Sequence, residues 1–171
     1  GSATTSGNLH NDGTGTLTLG SGVTVQGRGN IGSQAFVGGA ATLINQGTIK
    51  ANLDGQTLSI SGNGVNTFTN QGLLHAASGG VLATSTGFTA NAGSIAIDGG
   101  SSFSTSGNSL TNTGTILGAG TLRLVNFGTT GRALINSGTL KPGASPGFLT
   151  VNGDLVLGAG SVTEFEMNGL T

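Results

Sequence analysis

One short unit recurs along this chain and restricts its fold more than any other feature. An apolar residue is followed by Asn, a variable residue and Gly, and then by two strand-forming residues. The copies are LINQGTI from Leu43, FTNQGLL from Phe68, FTANAGSI from Phe88, LTNTGTI from Leu110 and LINSGTL from Leu134, with LHNDGTGTL from Leu9 taken as the first. Their glycines are separated by 34, 25, 21, 21 and 24 residues. Repetition at a nearly fixed interval predicts an array of stacked units.

Short strands with alternating side chains lie between these units. QTLSIS, GTLRLV and FLTV place apolar residues at every second position, the period of a strand with one buried face. We expect the Gly and Asn residues between strands to supply the positive φ angles of sharp corners. Such repeats are typical of a right-handed parallel β-helix, or β-solenoid, in which each coil covers the next. We predict one all-β solenoid segment over residues 1–171, with about six to seven coils and no significant helix.

A β-sandwich also has short strands and frequent turns, and it remains an alternative fold. A sandwich gives no reason for one Asn-x-Gly corner to return at the same phase, which favours the solenoid. The interval of 34 residues between Gly13 and Gly47 is too long for one coil. We therefore expect an irregular excursion near residues 27–40.

Composition limits the chemistry that the chain can perform. Of 171 residues, 35 are Gly, and five basic and six acidic residues give a formal net charge of −1. So few basic residues provide no basic patch that could bind the phosphates of a nucleic acid, and no nucleic-acid partner is expected. Cysteine is absent, which excludes disulfides and thiolate metal sites. We expect no metal, no cofactor and no enzymatic activity.

The residues from Gly138 to Gly169 carry a more specific pattern. They read GTLKPGASPGFLTVNGDLVLGAGSVTEFEMNG. Together with the units NQGTI, NTGTI and NSGTL, this segment 138–169 resembles the passenger regions of bacterial autotransporters and of the related two-partner-secreted, haemagglutinin-like adhesins. The repeats extend the resemblance over most of the chain, but residues 138–169 give it its specificity.

The resemblance implies a β-helix that is exported across the outer membrane and then secreted or displayed on the bacterial cell surface. It implies an outer-membrane β-barrel translocator, a host or bacterial surface ligand of unknown identity, and a larger exported protein of which this chain is a fragment. Neighbouring coils of the same parent chain are the expected structural partners, and exposed coil ends are expected to allow self-association. The expected function is a structural stalk segment of an adhesin that contributes to cell adhesion.

Two groups of ionisable residues are candidates for a site. Glu164 and Glu166 are the only paired carboxylates, and on a strand they would share a face, as a general acid and base or a cation site requires. We favour charged decoration of a solvent-facing strand. His10 and His75 occupy different places in the repeat, so they predict no shared site.

The repeated asparagines allow a binding or a structural interpretation. Amide side chains can bind sugars, but an Asn at one corner of successive coils can also hydrogen-bond along the stack. We predict such a ladder from Asn45, Asn70, Asn112 and Asn136.

Two further groups are predicted to be architectural. Proline fixes φ and has no N–H for a ladder, so KPGASPG is expected to turn a corner through Pro142, Gly143, Pro146 and Gly147. A core column is expected from Phe68, Phe88, Phe103, Phe127, Phe148 and Phe165.

The main alternative function is a polysaccharide-binding or polysaccharide-cleaving β-helix. It requires a groove with at least two carboxylates or a basic cluster from adjacent coils, and the absence of Trp and Tyr weakens a sugar site. An ice-binding solenoid is a third alternative. It requires Thr-x-Thr pairs in register, but TLT from Thr16, TVQ from Thr24 and TST from Thr84 do not recur in one phase.

Overall fold

The structure, a computed structural model, describes residues 5–34, 36–60, 65–85, 87–143 and 147–165. Regular structure in these ranges consists of short strands. The first twelve are β1 (Gly7–His10), β2 (Thr16–Leu19), β3 (Thr24–Gln26), β4 (Gly29–Ser33), β5 (Ala41–Asn45), β6 (Thr48–Ala51), β7 (Thr57–Ile60), β8 (Val65–Asn70), β9 (Leu73–Ala76), β10 (Val81–Thr84), β11 (Ala90–Asn91) and β12 (Ser94–Ile97). The remaining strands are β13 (Ser102–Ser104), β14 (Leu110–Asn112), β15 (Thr115–Gly118), β16 (Thr121–Arg123), β17 (Ala133–Asn136), β18 (Thr139–Pro142), β19 (Thr150–Asn152), β20 (Asp154–Leu157) and β21 (Val162–Thr163).

Three parallel sheets of seven strands each are formed by these elements. The first sheet has the order β1-β4-β7-β10-β13-β16-β19, the second β2-β5-β8-β11-β14-β17-β20, and the third β3-β6-β9-β12-β15-β18-β21. Neighbours in a sheet are three strands apart along the chain, so the chain visits each sheet once and then begins the next coil. The prediction of an all-β parallel solenoid of about six to seven coils, without helix, is confirmed for the described residues.

Inward side chains of successive coils stack in columns that form the core. In the third sheet, parallel register aligns Ile49, Leu74, Ile95, Ile116 and Leu140. In the first sheet, Leu58, Leu82, Phe103 and Leu122 align in the same way. All of these residues are buried. A fully buried side chain of this size contributes about 1.5–3 kcal/mol, so coils stabilise one another through the stack.

The prediction of a single column of six phenylalanines is wrong for half of its members. Phe68, Phe88 and Phe103 are buried, with ring centroids 4.9 and 6.1 Å apart between neighbours. The other three lie outside the strands and are exposed, namely Phe127, Phe148 and Phe165. The core is therefore aromatic only in its middle coils.

The irregular segment near residues 27–40 is shorter than predicted. Strand β4 lies inside this range and pairs with β1 on one side and β7 on the other. The prediction took LHNDGTGTL as the first copy of the Asn-x-Gly unit. The residue that aligns with Asn45 is Leu19, which lies after that segment. Gly13 lies instead in the connection between β1 and β2. The interval of 34 residues therefore does not measure a coil.

Positive φ was predicted for glycines between strands, and glycines of other corners, such as Gly55, Gly79 and Gly100, have it. The glycines of the Asn-x-Gly corners are instead required by close backbone approach. None of Gly72, Gly93 and Gly114 has a positive φ. A Cβ atom on Gly114 would lie 2.0 Å from the carbonyl oxygen of Gly93, and one on Gly93 would lie 2.3 Å from that of Gly72. No side chain fits at these distances, so the column of glycines sets how closely the coils stack.

Candidate functional site

A continuous chain of buried amides runs through the middle of the solenoid. The side-chain nitrogen Nδ2 of each Asn donates to the side-chain oxygen Oδ1 of the Asn in the next coil. The links are Asn45 to Asn70 at 2.8 Å, Asn70 to Asn91 at 2.8 Å, Asn91 to Asn112 at 2.7 Å and Asn112 to Asn136 at 2.7 Å. We call these five residues the Asn ladder. All five are fully buried, so they are inaccessible to an external ligand.

The Asn ladder also holds the corners that follow the second sheet. The Nδ2 group of Asn91 donates to the carbonyl oxygen of Gly93 at 2.9 Å, within its own corner. The backbone carbonyl oxygen of Asn91 accepts hydrogen bonds from the amides of Thr113 and Gly114 in the next coil, at 2.9 and 3.2 Å. The Asn91 side chain thus satisfies a carbonyl oxygen of its own corner, and its backbone carbonyl satisfies amides of the next corner.

Leucine occupies the ladder position in both end coils. Register pairs Leu19 with Asn45 at one end and Leu157 with Asn136 at the other. The Oδ1 atom of Asn45, which faces the Leu19 side, is buried and accepts no hydrogen bond from the described residues. The amide chain therefore starts at Asn45 with one unsatisfied acceptor.

Sequence reasoning missed Asn91 as a member of this ladder. The four asparagines that it did select are brought together in one column, and Asn91 fills the coil between Asn70 and Asn112. The signal was present, because Asn91 and Gly93 retain the Asn-x-Gly spacing inside FTANAGSI. FTANAGSI has one extra residue between its Phe and its Asn, so Asn91 does not align with the other repeat asparagines when the units are compared by sequence.

The predicted acidic pair is only half within the described residues. Glu164 pairs with Lys141 of the preceding coil, with 2.8 Å between the lysine Nζ and the carboxylate Oε2. About half of each side chain remains exposed, so the pair is a surface salt bridge. Glu166 lies outside the residues that the structure describes. The observed partner of Glu164 is thus a lysine, which agrees with charged decoration of the surface.

The corner predicted in KPGASPG is described in part. Pro142 is the last residue of β18 and aligns with Gly118 of β15. Gly143 has a φ of 93° and donates its amide to the carbonyl oxygen of Gly118 at 2.8 Å, so it begins the turn. A Cβ atom on Gly143 would lie 2.5 Å from the amide nitrogen of Gly147, so these two glycines approach each other closely. Pro146 lies outside the described residues.

The side chains of His75 and Asp98 form a contact between neighbouring coils. Nε2 of His75 lies 3.0 Å from Oδ1 of Asp98, and the aspartate is about half exposed. Across the described ranges, no three His, Asp or Glu side chains are grouped as metal ligands would be. Nor does any described helix have the length and apolarity to cross a membrane.

An outer groove lies against the first sheet. Its floor consists of outward side chains of successive coils, among them Val81, Ala83 and Thr121. Its wall is the loop between β16 and β17, which contributes Asn126 and Phe127. The groove has a volume of about 420 Å³ and also contains Arg123 and Asn152, and we call it the Arg123 groove.

The C-terminal coil leaves apolar core positions uncovered. Leu155 and Leu157 of β20 continue the inward column of the second sheet, yet they are 47% and 54% exposed. With Leu140, Phe148 and Phe165 they line a cavity of about 510 Å³. Among the described residues this surface is as apolar as the contacts between coils.

Comparisons with protein-family models, with curated proteins and with solved structures find no match to this chain.

Proposed function

We propose that this chain is a structural stalk segment of a secreted or surface-displayed bacterial adhesin, projecting other regions from the cell and contributing to adhesion. The observation that carries the proposal is the continuous parallel pairing of seven strands in each of three sheets, linked internally by the Asn ladder. The sequence resemblance of residues 138–169 supports the bacterial export route. In this proposal the chain acts mechanically, and it needs no catalytic group.

The arrangement of hydrogen bonds explains how such a segment resists force. In a solenoid the bonds between strands run along the long axis, because each strand pairs with the coil above and the coil below. Tension on the axis therefore loads three backbone ladders and the Asn ladder together. Bending would stretch the backbone hydrogen bonds of the sheet on one side, and the other sheets would oppose that bending.

The same architecture suits export through an outer-membrane β-barrel. The strand partners of a coil are its immediate neighbours, for example β12 between β9 and β15, so each new coil can fold on the one before it. Folding that proceeds one coil at a time outside the cell would oppose backward movement of the chain. We propose the barrel translocator as the transient partner of this chain on that basis.

Polysaccharide binding is a second candidate function, and the Arg123 groove favours it. The groove combines a guanidinium, two amide side chains and an aromatic ring on the outer face of the coils. Hydrolysis of a glycosidic bond ordinarily uses a pair of carboxylates, and no carboxylate lines this groove. We therefore propose binding, and not cleavage, as the second role.

Display on living cells tests the stalk proposal. The chain would be placed between an autotransporter β-barrel and an epitope, and antibody binding and added protease would be measured on intact cells. We expect a surface-exposed epitope on a protease-resistant segment. A matched variant with Gly114→Ala, which blocks coil stacking, should lose protease resistance. A Gly114→Ala segment that is as resistant to protease as the native segment, or an epitope that stays inside the cell, would contradict the proposal.

A further inference from the structure

The Arg123 groove is built by the register of the first sheet. One outward column contains Ser59, Ala83 and Ser104 in successive coils, and then Arg123 and Asn152. The small side chains at the first three positions keep the floor low. The larger Arg123 and Asn152 rise at the end of the column, so the groove has a flat floor and a polar end wall.

The loop that forms the side wall is held by its own hydrogen bonds. The amide of Asn126 donates to Oγ1 of Thr129 at 2.7 Å, and that hydroxyl donates to the carbonyl oxygen of Asn126 at 2.9 Å. Gly128 has a φ of 81°, which a side chain rarely permits. The turn directs Phe127 into solvent, where the ring is completely exposed. Because these contacts are local, the wall exists before any ligand arrives.

The charge in the groove is positive and is not neutralised locally. Arg123 is exposed, and within the part of the chain that the structure describes its guanidinium has neither a salt bridge nor a hydrogen-bond acceptor. The lining residues include no carboxylate. A free guanidinium forms paired hydrogen bonds with a carboxylate, which makes an anionic ligand the natural partner.

The remaining lining groups restrict the ligand further. The exposed amides of Asn126 and Asn152 can each donate to and accept from hydroxyl groups. Phe127 presents an apolar face at the rim, which can pack on the C–H face of a sugar ring. A volume of about 420 Å³ lies within the range of small-ligand sites and admits one or two sugar rings.

We propose that the Arg123 groove binds an acidic saccharide, with the carboxylate on Arg123, ring hydroxyls on Asn126 and Asn152, and the ring face against Phe127. The proposal specifies the ligand class for the second candidate function and rests on it. It is independent of the stalk role, because the display experiment reports coil stacking and this one reports binding.

Matched variants make the proposal testable. Arg123→Gln removes the charge from the groove, and Arg132→Gln removes an exposed charge from the same loop outside the lining. Phe127→Ala removes the rim ring, and Phe36→Ala removes another exposed ring far along the chain. All four side chains are exposed, so the fold should survive each change, which circular dichroism would verify.

Titration calorimetry and saturation-transfer NMR would use trigalacturonic acid and sialyllactose as probes. Their neutral counterparts are the galacturonate methyl ester and lactose, and poly-glutamate tests an acidic peptide. We expect binding of at least one acidic saccharide, a loss of about tenfold or more in Arg123→Gln, and no change in Arg132→Gln or Phe36→Ala. Phe127→Ala should weaken binding several-fold. No acidic saccharide bound, equal binding of the neutral sugars or of poly-glutamate, or equal effects of the two Arg variants would overturn the proposal.

Discussion

The side-chain nitrogen of Asn91 lies 2.7 Å from the side-chain oxygen of Asn112, and neither residue exposes any surface to solvent. This contact joins residues of adjacent coils. It is the third of four such links, and each aligns an amide dipole with the one before it. In a buried chain of amides each hydrogen bond polarises and strengthens the next one, so removal of an interior Asn costs stability.

An interior break in the Asn ladder should cost more stability than a break at its end. Asn91→Leu leaves the Nδ2 group of Asn70 and the Oδ1 atom of Asn112 without their ladder partners, so we expect a loss of about 2–4 kcal/mol. Asn45→Leu only moves the start of the ladder by one coil, because Leu19 already precedes it. We expect a loss of about 1–2 kcal/mol there. Chemical denaturation of both variants measures the difference.

The control for this experiment is an amide pair at the surface. Nε2 of Gln46 donates to Oε1 of Gln71 at 3.1 Å between the coils of Asn45 and Asn70, but both side chains are exposed. Gln71→Ala should change the free energy of unfolding by no more than about 0.5 kcal/mol. Equal effects of Asn91→Leu and Gln71→Ala would show that burial of the ladder has no energetic role.

Coil stacking should be sensitive to a single methyl group at a corner glycine. In Gly114→Ala the new Cβ would lie 2.0 Å from the carbonyl oxygen of Gly93, so neighbouring coils must separate locally. We expect a loss of about 3 kcal/mol or more. Gly99→Ala is the matched control, because no atom lies within 4 Å of its added Cβ and its φ is not positive. Thermal unfolding midpoints that fall equally in both variants would contradict the close-approach explanation.

The Lys141–Glu164 pair should contribute little to stability. Both side chains are about half exposed, so water screens their attraction. A double-mutant cycle with Lys141→Met and Glu164→Gln should give a coupling energy below about 1 kcal/mol that decreases with added salt. A coupling of several kcal/mol that persists in high salt would indicate a specialised site at this position.

The uncovered C-terminal coil should cause association of the isolated chain at high concentration. Leu157 is half exposed at a core position, and within the described residues β19, β20 and β21 are edge strands of their sheets. Leu157→Lys should reduce association measured by sedimentation velocity. Val156→Lys is the control, because Val156 lies on the opposite face of the same strand, in register with the outward Ile135. A chain that stays monomeric, or that responds equally to both changes, would argue against association through the coil end.

The repeat period allowed much of this architecture to be predicted. Asn-x-Gly spacing indicated parallel coils and selected four residues that the structure places in one ladder. Two other relationships could be recognised only from the structure. Leu19 takes the ladder position in the first coil, which only register reveals, since its sequence lacks the Asn-x-Gly motif. Phe127 resembles a core residue by type, but its place in a loop leaves the ring in solvent.

The Arg123 groove was harder to predict from the sequence than the Asn ladder was. Arg123 and Asn152 lie far apart in the sequence and are neighbours only because β16 pairs with β19. The groove also depends on small residues contributed by other coils. The sequence therefore showed Arg123 as an isolated charge, and only the fold places it beside Asn126, Phe127 and Asn152.

The height at which the chain holds an attached module above the membrane tests the stalk proposal most directly. Seven strands per sheet at a spacing of about 4.8 Å give a rod of roughly 30 Å. With the chain between a barrel anchor and a fluorescent module, energy transfer to a membrane dye should report a module raised by about that distance. Gly114→Ala should shorten and broaden the distribution of heights. An unchanged module height after insertion of the chain, or a broad distribution for the native chain itself, would contradict the proposal.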